Sequence, residues 1–135
     1  MREALKNLNA TPGMRGALLV SPDGLPIAVD LPDDMELEAT AGLSAVICKM
    51  VEEWASLLTK EDMILGMLES QDARLFISAI DWGFVVAIAA KSCPLGEARL
   101  SLRTASARLN EICRELAQNL QEEESRAPKV AARRD

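Results

Sequence analysis

The chain has 135 residues, of which 49% are hydrophobic, 27% charged and 3% aromatic, and its formal net charge is −6. This length suits one domain with a packed core, which must be mostly aliphatic because aromatic side chains are so few. The acidic balance argues against binding to nucleic acid or to anionic membrane surfaces, since both are negatively charged.

The cysteine and histidine content argues against two further kinds of site, disulfides and zinc centres. Three cysteines lie far apart in the sequence, and there is no histidine. An odd number of cysteines without a C-x-x-C pair is a poor disulfide framework, and zinc sites usually contain histidine or clustered cysteine. The first residues lack an apolar signal core, and the longest clean apolar run, 84–90, is too short to span a bilayer. We therefore predict a reduced, cytoplasmic protein without membrane insertion, metal or cofactor.

The first predicted elements are a short helix over residues 2–9 and a β-hairpin. Two apolar runs, at about 15–20 and 25–29, flank the sequence Ser-Pro-Asp-Gly at 21–24. The proline presets the backbone for the first central position of a tight turn, and the glycine accepts a positive φ. Apolar runs on both sides of such a turn are typical of a hairpin.

A long middle helix is predicted next. Asp33 can cap its start, Glu36 follows at capping-box spacing, and the helix should run to about Leu58. Its uncharged residues cover about 220° of the helix circumference, whereas packing on one surface needs only about 100°. Two interpretations follow: a helix with spare alanine and serine on its shoulder, or a subunit interface. The interface is favoured, because three small residues would let a partner helix approach closely: Ala41, Ala45 and Cys48.

Three strands and a last helix complete the pattern. Residues 63–68 and 84–89 are apolar throughout, which indicates strands buried on both faces, and a third strand is predicted over 74–80. Pro94 suits the first turn of the last helix, in which apolar residues recur every three or four positions up to Leu120.

The order of these elements predicts an α+β sandwich, with a five-stranded antiparallel sheet between helices. We expect this domain to cover residues 1–121. Residues 122–135 show no apolar periodicity, so a disordered charged tail is predicted there.

No group of residues in the sequence predicts catalysis. The common general bases histidine and tyrosine are absent, and Cys93, near a helix start, has no histidine to activate it. Residues 83–92 lack the glycine spacing of a phosphate-binding loop. The densest group of carboxylates comprises Asp23, Asp30, Asp33 and Asp34; the turn explains Asp23, and the helix start explains Asp33. We therefore predict an interaction protein that is not an enzyme.

Three motifs in order resemble those of Roadblock/dynein light-chain domains. They are the hairpin Gly-Ala-Leu-Leu-Val-Ser-x-Asp-Gly-Leu-Pro-Ile-Ala at 16–28, the acid-opened, alanine-rich middle helix, and Pro-Leu-Gly-x-x-Arg at 94–99. The resemblance covers about residues 1–120. It implies a profilin-like sandwich with strand order 2-1-5-4-3, the middle helix on one face and the two terminal helices on the other.

The resemblance also implies a homodimer, in which middle helices pack together and third strands pair edge to edge. Two observations made independently agree with it. The middle helix is apolar over too wide an arc, and an apolar third strand at a sheet edge would be an aggregation liability unless a symmetric partner covered it. The predicted dimer-interface residues are Ala41, Ala45, Cys48, Met63, Leu65 and Met67.

Members of this family bind or regulate small Ras-like GTPases, or are subunits of motor and signalling scaffolds. Similar stand-alone prokaryotic members include activators of a Ras-like GTPase that sets cell polarity. The resemblance thus favours a homodimeric regulator that holds the switch loops and arginine of its GTPase in the reactive arrangement. The charged sector of the middle helix is the predicted GTPase contact, with a plain solvated face as the alternative; it comprises Glu38, Lys49, Glu52 and Glu53.

Two other functions stay open. A scaffold subunit would pair with another Roadblock protein or a motor or signalling protein and would leave GTPase rates unchanged. A small-ligand domain on a similar sandwich would need a polar pocket, which the sequence does not indicate.

Overall fold

The computed structural model describes residues 1–60 and 65–126. The elements, in chain order, are α1 (Arg2–Asn9), β1 (Met14–Val20), β2 (Pro26–Asp30), α2 (Leu37–Thr59), β3 (Leu65–Glu69), β4 (Ala73–Ile80), β5 (Gly83–Ala90) and α3 (Leu95–Arg126). The predicted order of helices and strands is confirmed. Among the described helices, none combines the length and the apolar character needed to cross a membrane.

The five strands form one antiparallel sheet in the order β2-β1-β5-β4-β3, as predicted. The β1–β2 turn is closed by the Ser21 N–H, which donates to the Leu25 carbonyl at 2.9 Å, and by the Gly24 N–H, which donates to the Ser21 carbonyl at 3.0 Å. Gly24 has φ +89°, the positive value that this turn requires. Because β1 and β5 are central, β2 and β3 are the two edges of the sheet.

Helices cover the two faces of the sheet as the sandwich prediction requires. On one face, Leu5 of α1 and Leu102 and Leu109 of α3 are buried against Phe76. On the other face α2 packs alone, and its small residues meet Leu18 and other residues of the central strands. The alternation of side chains along the strands separates these two cores.

The predicted cap of α2 is wrong. The helix begins at Leu37, its N-cap residue is Glu36, and no side chain caps it. Asp33 lies instead in a turn that is closed by the Met35 N–H donating to the Pro32 carbonyl at 3.0 Å. Aspartate favours turns as well as caps, since its carboxylate can accept from nearby backbone N–H groups in both.

One other boundary differs from the expectation. Helix α3 continues to Arg126, so the expected domain boundary at residue 121 falls inside this helix. The described part of strand β3 starts at Leu65, and the predicted interface residue Met63 lies outside the described residues. The rest of the predicted tail, 127–135, also lies outside them.

Gly13, between α1 and β1, is a position where we expect substitution to be costly. Its φ is +89°, and a Cβ placed there would lie 2.7 Å from the Cα of Cys93. Gly13→Ala should lower the free energy of unfolding by about 3 kcal/mol, through the positive φ and the backbone clash together. Chemical denaturation measures this loss. Gly96→Ala is the matched control, because a Cβ at Gly96 has no neighbour within 4 Å; an equal loss in both variants would contradict the argument.

Candidate functional site: the outer face of α2 and the edge strand β3

The inner face of α2 consists of small residues because the helix lies close to the sheet and the first hairpin. Ala41, Ala45 and Cys48 are buried in the core between α2 and the strands. A Cβ placed at Gly24 would come within 3.4 Å of the Ala45 Cβ, which shows how near the hairpin approaches. These three residues therefore contact their own sheet. The prediction that they meet a partner helix is wrong, because their side chains are buried inside the protomer.

The outer face of α2 carries large apolar side chains at spacings of three, four, four and three. We call this set the outer stripe; it comprises Leu43, Val46, Met50, Trp54 and Leu57. The exposed fractions of Met50, Trp54 and Leu57 are 64%, 62% and 78%. A surface helix normally turns charged or polar residues outward, and a contiguous apolar patch of this kind marks an interaction surface.

The edge strand β3 continues this apolar surface. Within the described residues it pairs only with β4, so the backbone groups of its other side have no strand partner. Met67 and Leu68 are 45% and 42% exposed, and Leu65 is half-buried, so the prediction of a strand buried on both faces does not hold for one chain. An apolar edge strand of this kind is a template for pairing with another chain.

An open apolar groove joins the helix to the strand. Met50 and Trp54 of the outer stripe line it together with Val51 and Ala55, and residues 65–68 of β3 form its other wall. The outer stripe, the groove and β3 thus form one continuous surface, which we call the α2–β3 surface. Of the predicted interface residues, Leu65 and Met67 line it as part of the edge strand, and Leu65 also packs against the core on the α3 face of the sheet.

The four predicted GTPase-contact residues lie along one flank of α2, with Glu38 in the first turn and the other three in the C-terminal half of the helix. Glu38, Lys49, Glu52 and Glu53 are all exposed, and none of them makes an ion pair with another described residue. At about 100° per residue, Glu53 lies next to the outer stripe and Glu52 lies nearest the sheet. The structure thus presents a charged flank beside an apolar surface.

The cysteines are not poised for chemistry in this structure. Burial, with a smaller contribution from Glu52, raises the pKa of the Cys48 thiol from 9.0 to about 12. Burial is also the main cause that raises the pKa of Cys93 and Cys113. Nucleophilic attack needs the thiolate, and raised pKa values keep these thiols protonated at neutral pH. Across residues 1–60 and 65–126, no cluster of three or more potential metal ligands is present.

The raised pKa of Cys48 makes stability fall in alkaline solution. Above pH 9.0 this thiol ionises in the unfolded chain but stays protonated in the folded chain until about pH 12. Its contribution to stability is therefore complete below pH 9 and is lost as pH rises through that window, by about 1.4 kcal/mol per pH unit. Denaturation at several pH values in reducing buffer measures the slope. Cys48→Ala should flatten it, and an unchanged slope in that variant would contradict the assignment.

Comparison with known proteins agrees with this architecture. A model of the Roadblock/LC7 domain family matches residues 2–90. An uncharacterized protein of Methanocaldococcus jannaschii, MJ0714, is 24% identical over 102 residues, which cover 76% of this chain and 86% of that protein.

Solved structures show the same fold at low sequence identity. Myxococcus xanthus MglB superposes with a TM-score of 0.78 and 19% identity, covering 84% of this chain and 94% of MglB. An MglB structure described as having a tetrameric arrangement gives 0.76 and 23%, covering 84% and 87%. Profilin II of Acanthamoeba castellanii gives 0.55 and 14%, covering 78% and 92%. The sandwich is therefore profilin-like, as the sequence motifs implied.

Proposed function

The chain belongs to the Roadblock/LC7 domain family, and on that premise we propose that it is a cytoplasmic homodimer that binds and regulates a small Ras-like GTPase. In this proposal the dimer supplies a docking platform and no catalytic residue. The observation that carries the proposal is the α2–β3 surface, an exposed apolar face bordered by the charged flank of α2.

The α2–β3 surface supports a two-fold dimer. Antiparallel pairing of two β3 strands would satisfy the open backbone groups of both edges and join two sheets into one. The same rotation would bring the two outer stripes together, because the stripe lies beside β3 on the same face of the sheet. Fully burying a side chain the size of Met50 or Leu57 contributes about 2 kcal/mol, and each protomer offers several. Burial on this scale can maintain a specific dimer.

The charged flank supports a contact with a second protein. Once the outer stripes are covered, Glu38, Lys49, Glu52 and Glu53 of both protomers would border the dimerised surface. Three carboxylates and one ammonium suit a partner with basic and apolar residues around its nucleotide site. Regulation would then come from holding the mobile loops of the GTPase in one arrangement, which accelerates phosphoryl transfer through positioning and electrostatics.

Hydrolysis measured under single-turnover conditions tests this function. The purified protein is titrated into a Ras-like GTPase encoded in the same genome, loaded with GTP, and phosphate release is followed. We expect the rate of phosphate release to change and to reach a plateau at two chains of this protein per GTPase molecule. Binding by calorimetry without any change in rate would instead favour the scaffold function, and neither binding nor rate change with each Ras-like GTPase of the genome would overturn the proposal.

A further inference from the structure

A second groove lies on the opposite face of the sheet from α2. It has a volume of about 460 Å³ and runs between α3 and strands β3 and β4. Leu65 and Ile80 form part of an apolar floor on the sheet side. The α3 side carries a polar stripe, which we call the donor stripe; it comprises Arg99, Arg103, Ser106 and Asn110.

The donor stripe is straight and offers hydrogen-bond donors. Its members follow one another at intervals of four, three and four residues, which places them on one line along a helix. Arg99 and Arg103 are exposed, and neither has a carboxylate within salt-bridge distance among residues 1–60 and 65–126. The Oδ1 atom of Asn110 accepts from the Asp81 N–H at 3.2 Å, so its NH₂ group is left to donate.

Ser106 adds an independent indication that something polar belongs in this groove. Its side chain lines the groove and is only 9% exposed, yet its hydroxyl has no hydrogen-bond partner among the described residues. A buried hydroxyl without a partner is destabilising, so such groups in folded proteins usually meet water or a ligand.

The charge of the rest of the molecule makes this groove unusual. The chain carries a formal net charge of −6, and neighbouring basic residues on this side are paired: Arg114 with Asp81 at 3.5 Å, and Arg74 with Glu69 at 3.8 Å. Among residues 1–60 and 65–126, none of those that line the groove is acidic. Two unpaired guanidinium groups in an acidic protein form a local site for negative charge.

We propose that this groove binds a short acidic segment of a partner protein in extended conformation. The donor stripe extends about 17 Å along α3, the length of about five extended residues, so a small dianion would contact only part of it. In an extended segment successive side chains point to opposite sides. Acidic side chains can therefore meet the arginines while the alternate, apolar side chains cover Leu65 and Ile80. The site lies away from α2, and this proposal does not depend on regulation of a GTPase.

Fluorescence anisotropy with a labelled hexapeptide of alternating glutamate and leucine tests the site. We expect saturable binding that weakens as salt is added. The double variant Arg99→Ala/Arg103→Ala should weaken binding at least about tenfold, because it removes two charge-assisted contacts, and Ser106→Ala should weaken it about threefold. Arg108→Ala is the matched control, since Arg108 is also exposed on α3 but lines a different groove, facing α1; its affinity should not change.

Two further measurements make the outcome decisive. Amide chemical-shift changes on adding the peptide should centre on the donor stripe and β4, with α2 unaffected. A peptide of alternating lysine and leucine should not bind. Absence of glutamate-peptide binding at millimolar concentration, equal binding by the double arginine variant, or shift changes centred on α2 would each overturn the proposal.

Discussion

Met50→Lys is expected to leave a folded monomer, whereas the unaltered protein is expected to form a dimer. Met50 lies in the middle of the outer stripe and is 64% exposed in the protomer, so a lysine there can point into water without disturbing the core. In a symmetric dimer both copies of that lysine would lie in an apolar interface and would lose most of their hydration. The combined penalty of at least about 4 kcal/mol corresponds to about a thousandfold rise in the dissociation constant.

Sedimentation equilibrium measures that dissociation constant, and circular dichroism checks that the variant keeps its helices. The matched control is Leu100→Lys, because Leu100 is 66% exposed but lies on α3, on the other face of the sheet. We expect this control to remain dimeric. A Met50→Lys variant that associates as tightly as the unaltered protein would show that α2 is not the interface.

The second large effect is expected from reversing two charges on the flank of α2. Glu52→Lys/Glu53→Lys should lower the affinity for the proposed GTPase partner about a hundredfold, because like charges brought together in an interface cost several kcal/mol. Both side chains are exposed, so the fold should be retained. Dimerisation should also be retained, since neither residue belongs to the outer stripe. GTPase affinity by calorimetry and stimulated phosphate release are the measurements.

The control for this variant changes the same number of charges elsewhere. Glu115 and Glu122 are both exposed on α3, and Glu115→Lys/Glu122→Lys alters net charge by the same amount. We expect this control to bind the GTPase with nearly unchanged affinity. If both double variants lose binding equally, the effect is a general response to net charge; if neither does, the predicted contact on α2 is wrong.

Local chemistry in the sequence was enough to predict the order of elements. The Ser-Pro-Asp-Gly turn has a mechanism that depends on its own four residues, and the structure shows its hydrogen bonds and positive φ. The same is true of the apolar spacing in α3. Asp33 shows the limit of such local reasoning, because a carboxylate at a helix start and one in a turn have the same sequence signature.

The sequence does not show which side of α2 faces the sheet, because the small residues of its inner face and the large residues of its outer face are all uncharged. Small residues suit close approach to any surface, and Ala41, Ala45 and Cys48 turned out to approach their own sheet. The large residues Met50 and Trp54 were visible on the helical wheel, but only the packed structure shows that they point outward. The edge position of β3 was predicted, but its exposure in one chain was not, because a continuous apolar run predicts burial on both faces without indicating which chain provides it.

The apolar outer stripe has a thermodynamic consequence for this protein. If pairing of two chains covers it, folding and association draw on the same buried surface, and no single melting temperature describes the molecule. Each tenfold dilution would then lower the temperature at which half of the chains are unfolded, as mass action requires for any linked equilibrium. Cellular abundance would in that case set how much of this protein is folded and how long it escapes proteolysis.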